Sequence, residues 1–263
     1  MMRRKPHPPN RSNSSDMFPP RPFLVALQFL SVLPVRLKEP PDNKTMGRSL
    51  LYYPLVGLVI GALLAVLVLG LNEAPTFVAA ALALTLWVLL TGALHLDGLA
   101  DSADAWIGGL GDPKRTLAIM KDPYCGPAAV VTLVLVLLIK FTALQHLITC
   151  ENWQALLLAP VLGRTALVLL FLTTPYVRSN GLGSLLSGHL PRRVSLVVTL
   201  STLAAVPIFI GIPGFWLLFT MAGIFFLLRT LMLRRIGGTT GDTAGALVEI
   251  TETMMLLTAA LMA

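Results

Sequence analysis

Apolar runs broken by short polar stretches fill this chain from about residue 20 onward. Runs close to the roughly 20 residues that carry an α-helix across a bilayer lie at about 51–71, 76–96, 128–148, 153–173, 194–210 and 215–233. A last apolar helix closes the chain at Ala263. Backbone polar groups in hydrocarbon must be satisfied within their own segment, so these runs predict helices. The pattern predicts an all-α fold, a polytopic membrane helical bundle with about seven transmembrane helices. Residues 23–35, FLVALQFLSVLPV, are apolar but too short to span, and predict a short N-terminal interfacial or re-entrant helix ending at Pro34. Gly57 and Gly61 make a GxxxG step in the first span, a pattern that lets helices approach closely.

Composition agrees with a membrane protein: 55% of residues are hydrophobic and 13% charged, against about 25% charged in soluble domains. The net charge of +7 is not spread as a nucleic-acid surface. Lys and Arg load the N-terminal tail and the loops at about 97–127, 174–193 and 229–242, whereas the turns at 72–75, 149–152 and 211–214 carry none. The positive-inside rule then predicts that the loaded loops, and the polar motifs within them, face the cytoplasm. Residues 1–20 are rich in Pro, Ser, Asn and Arg, lack a signal-peptide core, and read as a disordered basic tail in which His7 is idle. Residues 21–263 read as a single domain. Cys125 and Cys150 form no metal or disulfide pattern, and this topology puts them on opposite sides, unpaired.

The chemistry-bearing residues fall in two polar motifs. The first, HLDGLADSAD at 95–104, holds His95, Asp97, Asp101 and Asp104. On a helix the three carboxylates share one face and repel one another. A hard divalent cation such as Mg²⁺ would offset that repulsion and leave room for substrate phosphates. A solvated acidic helix start is the plainer alternative, but a carboxylate at a membrane border usually has a function. The second motif, GGTTGDTAGALVEITE at 237–252, places Gly237, Gly238 and Gly241 before a helix whose start could hold phosphate. Asp242, Glu249 and Glu252 then share a face of that helix. Two acidic faces on one membrane side suggest phosphoryl transfer at a two-metal or metal-plus-base site. Lys114, Arg115 and Lys121 are candidates for phosphate, or only topology signals. Arg164 in mid-span must find a partner, either an acidic cluster or a substrate phosphate, and Lys140 has a similar case. His95 is a candidate general base or metal ligand, or a locally hydrogen-bonded histidine.

These motifs, together with IMKDPYCG (119–126), GR (163–164), ALQFLSVLPV (26–35) and YYPLVGLVIG (52–61), resemble the cobalamin synthase family, the adenosylcobinamide-GDP ribazoletransferases. The resemblance implies a multi-pass enzyme of the bacterial inner membrane, its active site facing the cytoplasm. Such an enzyme joins adenosylcobinamide-GDP to α-ribazole or α-ribazole 5′-phosphate and releases GMP, with Mg²⁺ as cofactor. On these positions Asp97, Asp101 and Asp104 would hold Mg²⁺, Asp242 and Glu249 would hold a second metal or take the hydroxyl proton, and Lys121 and Arg164 would neutralise the leaving GMP. The single domain at 21–263 is then catalytic. Its partners are the two substrates and the lipid bilayer, not nucleic acid, with a homo-oligomer left open. Where the family usually has Gly the chain has Ala105, and Pro123, Tyr124 and Ala129 also depart from its pattern. A CDP-alcohol phosphotransferase would share the Asp cluster, but Asp97-Gly98 is followed by Ala100-Asp101 without the expected Arg. A transporter would place its acids near mid-membrane with inverted repeats, and no repeat is visible.

Overall fold

The computed structural model describes residues 20–37, 39–179 and 181–263. The tail, His7 and the basic Lys38 lie outside the described residues. An N-terminal helix α1 (Arg21–Leu30) is followed by α2 (Asn43–Ser49), capped by Asp42, whose Oδ1 accepts from the Thr45 amide at 2.9 Å. A 3-10 turn leads from α2 into α3 (Tyr53–Gly70). The remaining helices are α4 (Thr76–Thr91), α5 (Leu94–Gly108), α6 (Pro113–Ile119), α7 (Pro127–Thr149), α8 (Trp153–Thr173), α9 (Leu182–Gly188), α10 (Arg192–Ile210), α11 (Ile212–Ile236) and α12 (Gly241–Met262). Six helical runs, α2–α3 taken as one, are long and apolar enough to cross a membrane, and α4 with α5 makes a seventh, bent by 86°. Extended pairing among the described residues is one isolated parallel bridge between Tyr176 and Thr239.

Burial sorts the spans into layers. In α8, 89% of the spanning window is buried, against 22% in α7 and α11 and 17% in α10. α8 is the central helix, and it carries Arg164, a charge that must be kept from lipid and is fully buried. The outer helices turn side chains such as Val134, Leu138, Phe219 and Phe226 outward, as a lipid-facing surface requires. α3 packs on α8 through the GxxxG step: a Cβ on Gly57 would stand 2.4 Å from the Pro160 carbonyl oxygen, and one on Gly61 2.7 Å from that of Leu157. Neither backbone carbonyl can move aside cheaply. Gly57→Leu is therefore expected to lower the melting temperature in detergent, at a cost of at least about 1–3 kcal/mol for overpacking.

The chain departs from the sequence reading at two places. The run 76–96 is not one span into the acidic motif: it ends at Thr91, and Gly92 and Ala93 both take positive φ, +58° and +56°. The Gly92 amide bonds Leu89 O and the Ala93 amide bonds Val88 O, at 3.1 and 3.0 Å. This closes the last turn of α4, a left-handed cap that glycine favours. The acidic motif thus gains a helix of its own, set across α4. The apolar N-terminal segment likewise stops being helical at Leu30, where Ser31 becomes extended and its Oγ donates to Leu27 O at 2.6 Å. The next amide, Val32, bonds Leu90 O at 2.8 Å, so the segment is tied to the end of α4.

Alternating crossings put the loops at 109–126, 174–191 and 237–240 at one end of the bundle and the turns at 71–75, 150–152 and 211 at the other. Cys125 precedes α7 and Cys150 follows it, and both thiols are free. The length of a membrane helix separates them, as expected.

Candidate active site

Two helices meet where the polar motifs lie, and glycine makes the meeting close. A Cβ on Gly98 of α5 would come within 2.7 Å of the Asp242 carbonyl oxygen, at the start of α12. One turn along α12, Gly245 faces Gly98 and His95, where a Cβ would only reach ordinary contact at 3.4–3.5 Å. The motifs, some 140 residues apart in sequence, form one surface. A cavity of about 310 Å³ opens beside this contact. Asp97, Asp242, Arg178 and His95 lie on its polar wall, and side chains of α1, α8 and α9 form the rest.

The glycines of the second motif shape this edge. α11 ends with Gly237 at φ +76°, its amide bonded to Leu233 O at 3.1 Å. Gly238 passes under the segment that follows α8, so closely that a Cβ would sit 2.2 Å from Pro175 O. The Thr239 amide donates to Pro175 O and the Val177 amide donates to Thr239 O, both at 2.9 Å. Thr240 then caps α12: its Oγ1 accepts from the Thr243 amide at 3.2 Å, while the Thr243 Oγ1 accepts from the Thr240 amide at 2.9 Å. Gly241 opens the helix on the cavity. This ladder delivers Arg178, whose Nη2 donates to Asp242 Oδ2 at 2.8 Å, while its Nε is buried without a partner among the described residues. Burial raises the neighbouring Tyr176 phenol above its usual range; the Arg178 charge opposes this and Asp242 adds to it. Gly238→Ala is expected to part the ladder. Hydrogen exchange at the Val177 and Thr239 amides should then quicken, and unchanged protection would show that the close approach is dispensable.

The first motif divides its work. Asp97 is exposed on the cavity wall, and Asp101 follows one turn on, half-buried. Asp104, expected among the metal ligands, instead commits both oxygens to the start of α7: Oδ2 accepts from the Gly126 amide at 2.6 Å and Oδ1 from the Ala129 amide at 2.9 Å. Those amides have no partner inside their helix, and a carboxylate there also meets the favourable end of the helix dipole. The Ala129 departure is thus harmless, since only its backbone is used. His95 is 3% exposed, and neither ring nitrogen has a hydrogen-bond partner among the described residues.

Burial decides the surroundings of two further residues. Glu249, expected among the metal ligands, lies two turns from Asp242 and is committed to Lys140, whose Nζ donates to its Oε1 at 2.6 Å and to Glu252 Oε2 at 3.1 Å. Arg164 is fully buried and paired with the Glu252 carboxylate, the acidic cluster of its two expected partners and not a substrate phosphate. Charges in hydrocarbon must find partners inside the bundle, and here two cations meet two anions, for no net charge. The Trp87 ring, 4.4 Å from Lys140 Nζ, completes the cluster. Arg115 and Lys121 are exposed on the same end, off the cavity lining. Lys121 directly follows Met120, whose sulfur accepts from Thr240 Oγ1 at 3.8 Å, so its loop lies against the α12 cap.

Arg178 and Tyr176 were not legible as site residues. Arg178 read as one base of a loaded loop, and nothing in the spacing joins it to Asp242. Among the described residues the charges do not balance: Asp97 and Asp242 line the cavity with one guanidinium, and Asp101 stands within electrostatic reach of both carboxylates. Among the described residues no three His, Cys, Asp or Glu side chains converge as they stand on a metal position. The donor set is nonetheless all carboxylate oxygen, which suits a hard divalent cation.

A multi-pass helical membrane protein with a carboxylate-lined cavity at one end, built from two polar helix starts, is the class this geometry defines. Residues 22–260 match the cobalamin-5-phosphate synthase family, and the chain belongs to that family. It is 60% identical over 241 residues to the adenosylcobinamide-GDP ribazoletransferase of Pseudomonas fluorescens strain Pf-5, covering 91% of this chain and 99% of that protein. Proteins of the same name from Pseudomonas entomophila and Pseudomonas syringae pv. syringae are 57% and 58% identical, each covering 92% of this chain and 99% of the relative. No solved structure matches the chain.

Proposed function

We propose that this chain joins adenosylcobinamide-GDP to α-ribazole, or to α-ribazole 5′-phosphate, and releases GMP, using Mg²⁺ at the inner membrane with the cavity open to the cytoplasm. The observation that carries this reading is the meeting of Asp97 and Asp242, from two distant motifs, on one cavity beside Arg178. The family and the names of the relatives supply the reaction. The basic loops at the cavity end supply the orientation.

Asp97, Asp101 and Asp242 would hold the metal. When bound, Mg²⁺ would polarise the pyrophosphate and offset charge on the departing GMP. Arg178 orients Asp242 through their ion pair and offers its unpartnered Nε to a phosphate oxygen. In the reaction a ribazole hydroxyl oxygen bonds to the phosphorus on the cobinamide side, and the bond from that phosphorus to the bridging oxygen breaks. GMP leaves with the bridging oxygen. Asp97 makes no ion pair among the described residues and stands on the cavity wall, so it is the carboxylate placed to take the hydroxyl proton. Lys121, on its exposed loop, would meet the nucleotide outside the cavity.

Purified protein in liposomes, given adenosylcobinamide-GDP, α-ribazole 5′-phosphate and Mg²⁺, is expected to release one GMP per corrinoid product. GMP release should require both substrates and stop with EDTA. A folded protein that releases no GMP, or releases CMP from a CDP-alcohol instead, would remove this reading.

A further inference from the structure

The cavity has a composition that the phosphoryl-transfer chemistry does not use. Away from Asp97 and Asp242 its wall is apolar and partly aromatic, with Phe29 of α1, Leu167 and Phe171 of α8, and Leu186 of α9. The Tyr176 ring, stacked on Phe171 with centroids 6.2 Å apart, joins the two walls. A pyrophosphate gains nothing from such a surface. A flat aromatic group does.

Size narrows the occupant. At about 310 Å³, the cavity is at the lower end of small-molecule pockets, which run from roughly 300 to 1,000 Å³. A corrinoid carrying its nucleotide arm is far too large, whereas a single nucleoside fits. Charge points the same way. The polar wall holds two carboxylates, which accept from sugar hydroxyls, and one arginine, whose Nε is left for a single phosphate oxygen. His95 adds a second observation. It lines the cavity, is 3% exposed, and both ring nitrogens are buried without a partner among the described residues. Leaving such a group unsatisfied is costly, and a ligand with a ring nitrogen would satisfy it.

We infer that the cavity is the subsite for the base and ribose of α-ribazole, with the base against Phe171, Phe29 and His95 and the ribose hydroxyls at Asp97 and Asp242. This rests on the proposed transferase reaction and assigns the smaller substrate within it. The base and ribose are common to α-ribazole and its 5′-phosphate, so the assignment holds for either. The corrinoid and its pyrophosphate then approach from outside the cavity, across the carboxylate rim.

The test is a steady-state comparison of wild type, Phe171→Leu and His95→Asn in liposomes, each substrate varied in turn. Phe171→Leu removes the ring and keeps an apolar side chain. Both variants are expected to raise KM for α-ribazole about tenfold or more, with KM for adenosylcobinamide-GDP and the melting temperature unchanged. Phe29→Leu takes the place of Phe171→Leu if that variant does not fold. A rise confined to KM for adenosylcobinamide-GDP, or no change in either KM, would overturn the assignment while wild-type turnover keeps the reaction. A wild type without turnover would overturn both.

Discussion

Asp242→Asn is expected to lower GMP release by on the order of 10²–10³-fold and to leave the fold intact. The substitution keeps the shape of the side chain and removes its charge, and two effects follow. One of the three carboxylates proposed to hold a metal is lost, and Arg178 loses the anion that orients it. Because the Asp242 side chain keeps about 20% exposure, its ionisation costs less than that of a fully buried acid, so stability should change little. The loss should appear in kcat. Arg178→Lys should show a smaller loss, since an ammonium can keep the charge but not the two-sided geometry that reaches both Asp242 and a phosphate. A large fall in melting temperature for Asp242→Asn would instead make its pairing with Arg178 a structural clamp.

Lys140→Met should have the largest effect on stability. Lys140 lies 2% exposed between Glu249 and Glu252, with Arg164 on the far side of Glu252. Removing the ammonium leaves two buried carboxylates facing one guanidinium. Breaking a buried pair in this way costs about 3–5 kcal/mol, whereas replacing both partners by apolar groups can be neutral. The double variant Lys140→Met with Glu249→Met is therefore expected to recover most of the loss. Thermal unfolding in detergent measures both. If the single variant is as stable as wild type, the cluster is not what ties α7 and α8 to α12. None of these four charged residues lines the cavity, so the double variant should also keep its KM values.

The layout of the spans was legible because bilayer thickness imposes a length on each apolar run. Helices α7 and α8 begin and end within a residue of the apolar limits, and the charge pattern alone put both polar motifs at one end. The bend at Gly92 was less visible, because the apolar run continues through Leu96 and hides a change of direction that two backbone angles make. Within the site, the sequence shows which residues are costly to bury but not which of them meet. Glu249 and Asp242 share a helix face, yet two helical turns put one in hydrocarbon against Lys140 and the other at the cavity. Asp104 shares a face with Asp97, yet the amides of α7 are what it meets. Arg178 enters through a backbone ladder that depends on Gly238 having no side chain, and no spacing rule reaches across those 64 residues.

Manganese binding tests directly whether the two motifs form a single metal site. Mn²⁺ stands in for Mg²⁺ and is followed by electron paramagnetic resonance on protein in nanodiscs, without substrates, for wild type, Asp97→Asn and Asp242→Asn. Bound Mn²⁺ that is displaced by Mg²⁺ in wild type and weakened at least about tenfold in each variant is the expected result. Binding that survives both substitutions unchanged would contradict the site assembled from α5 and α12.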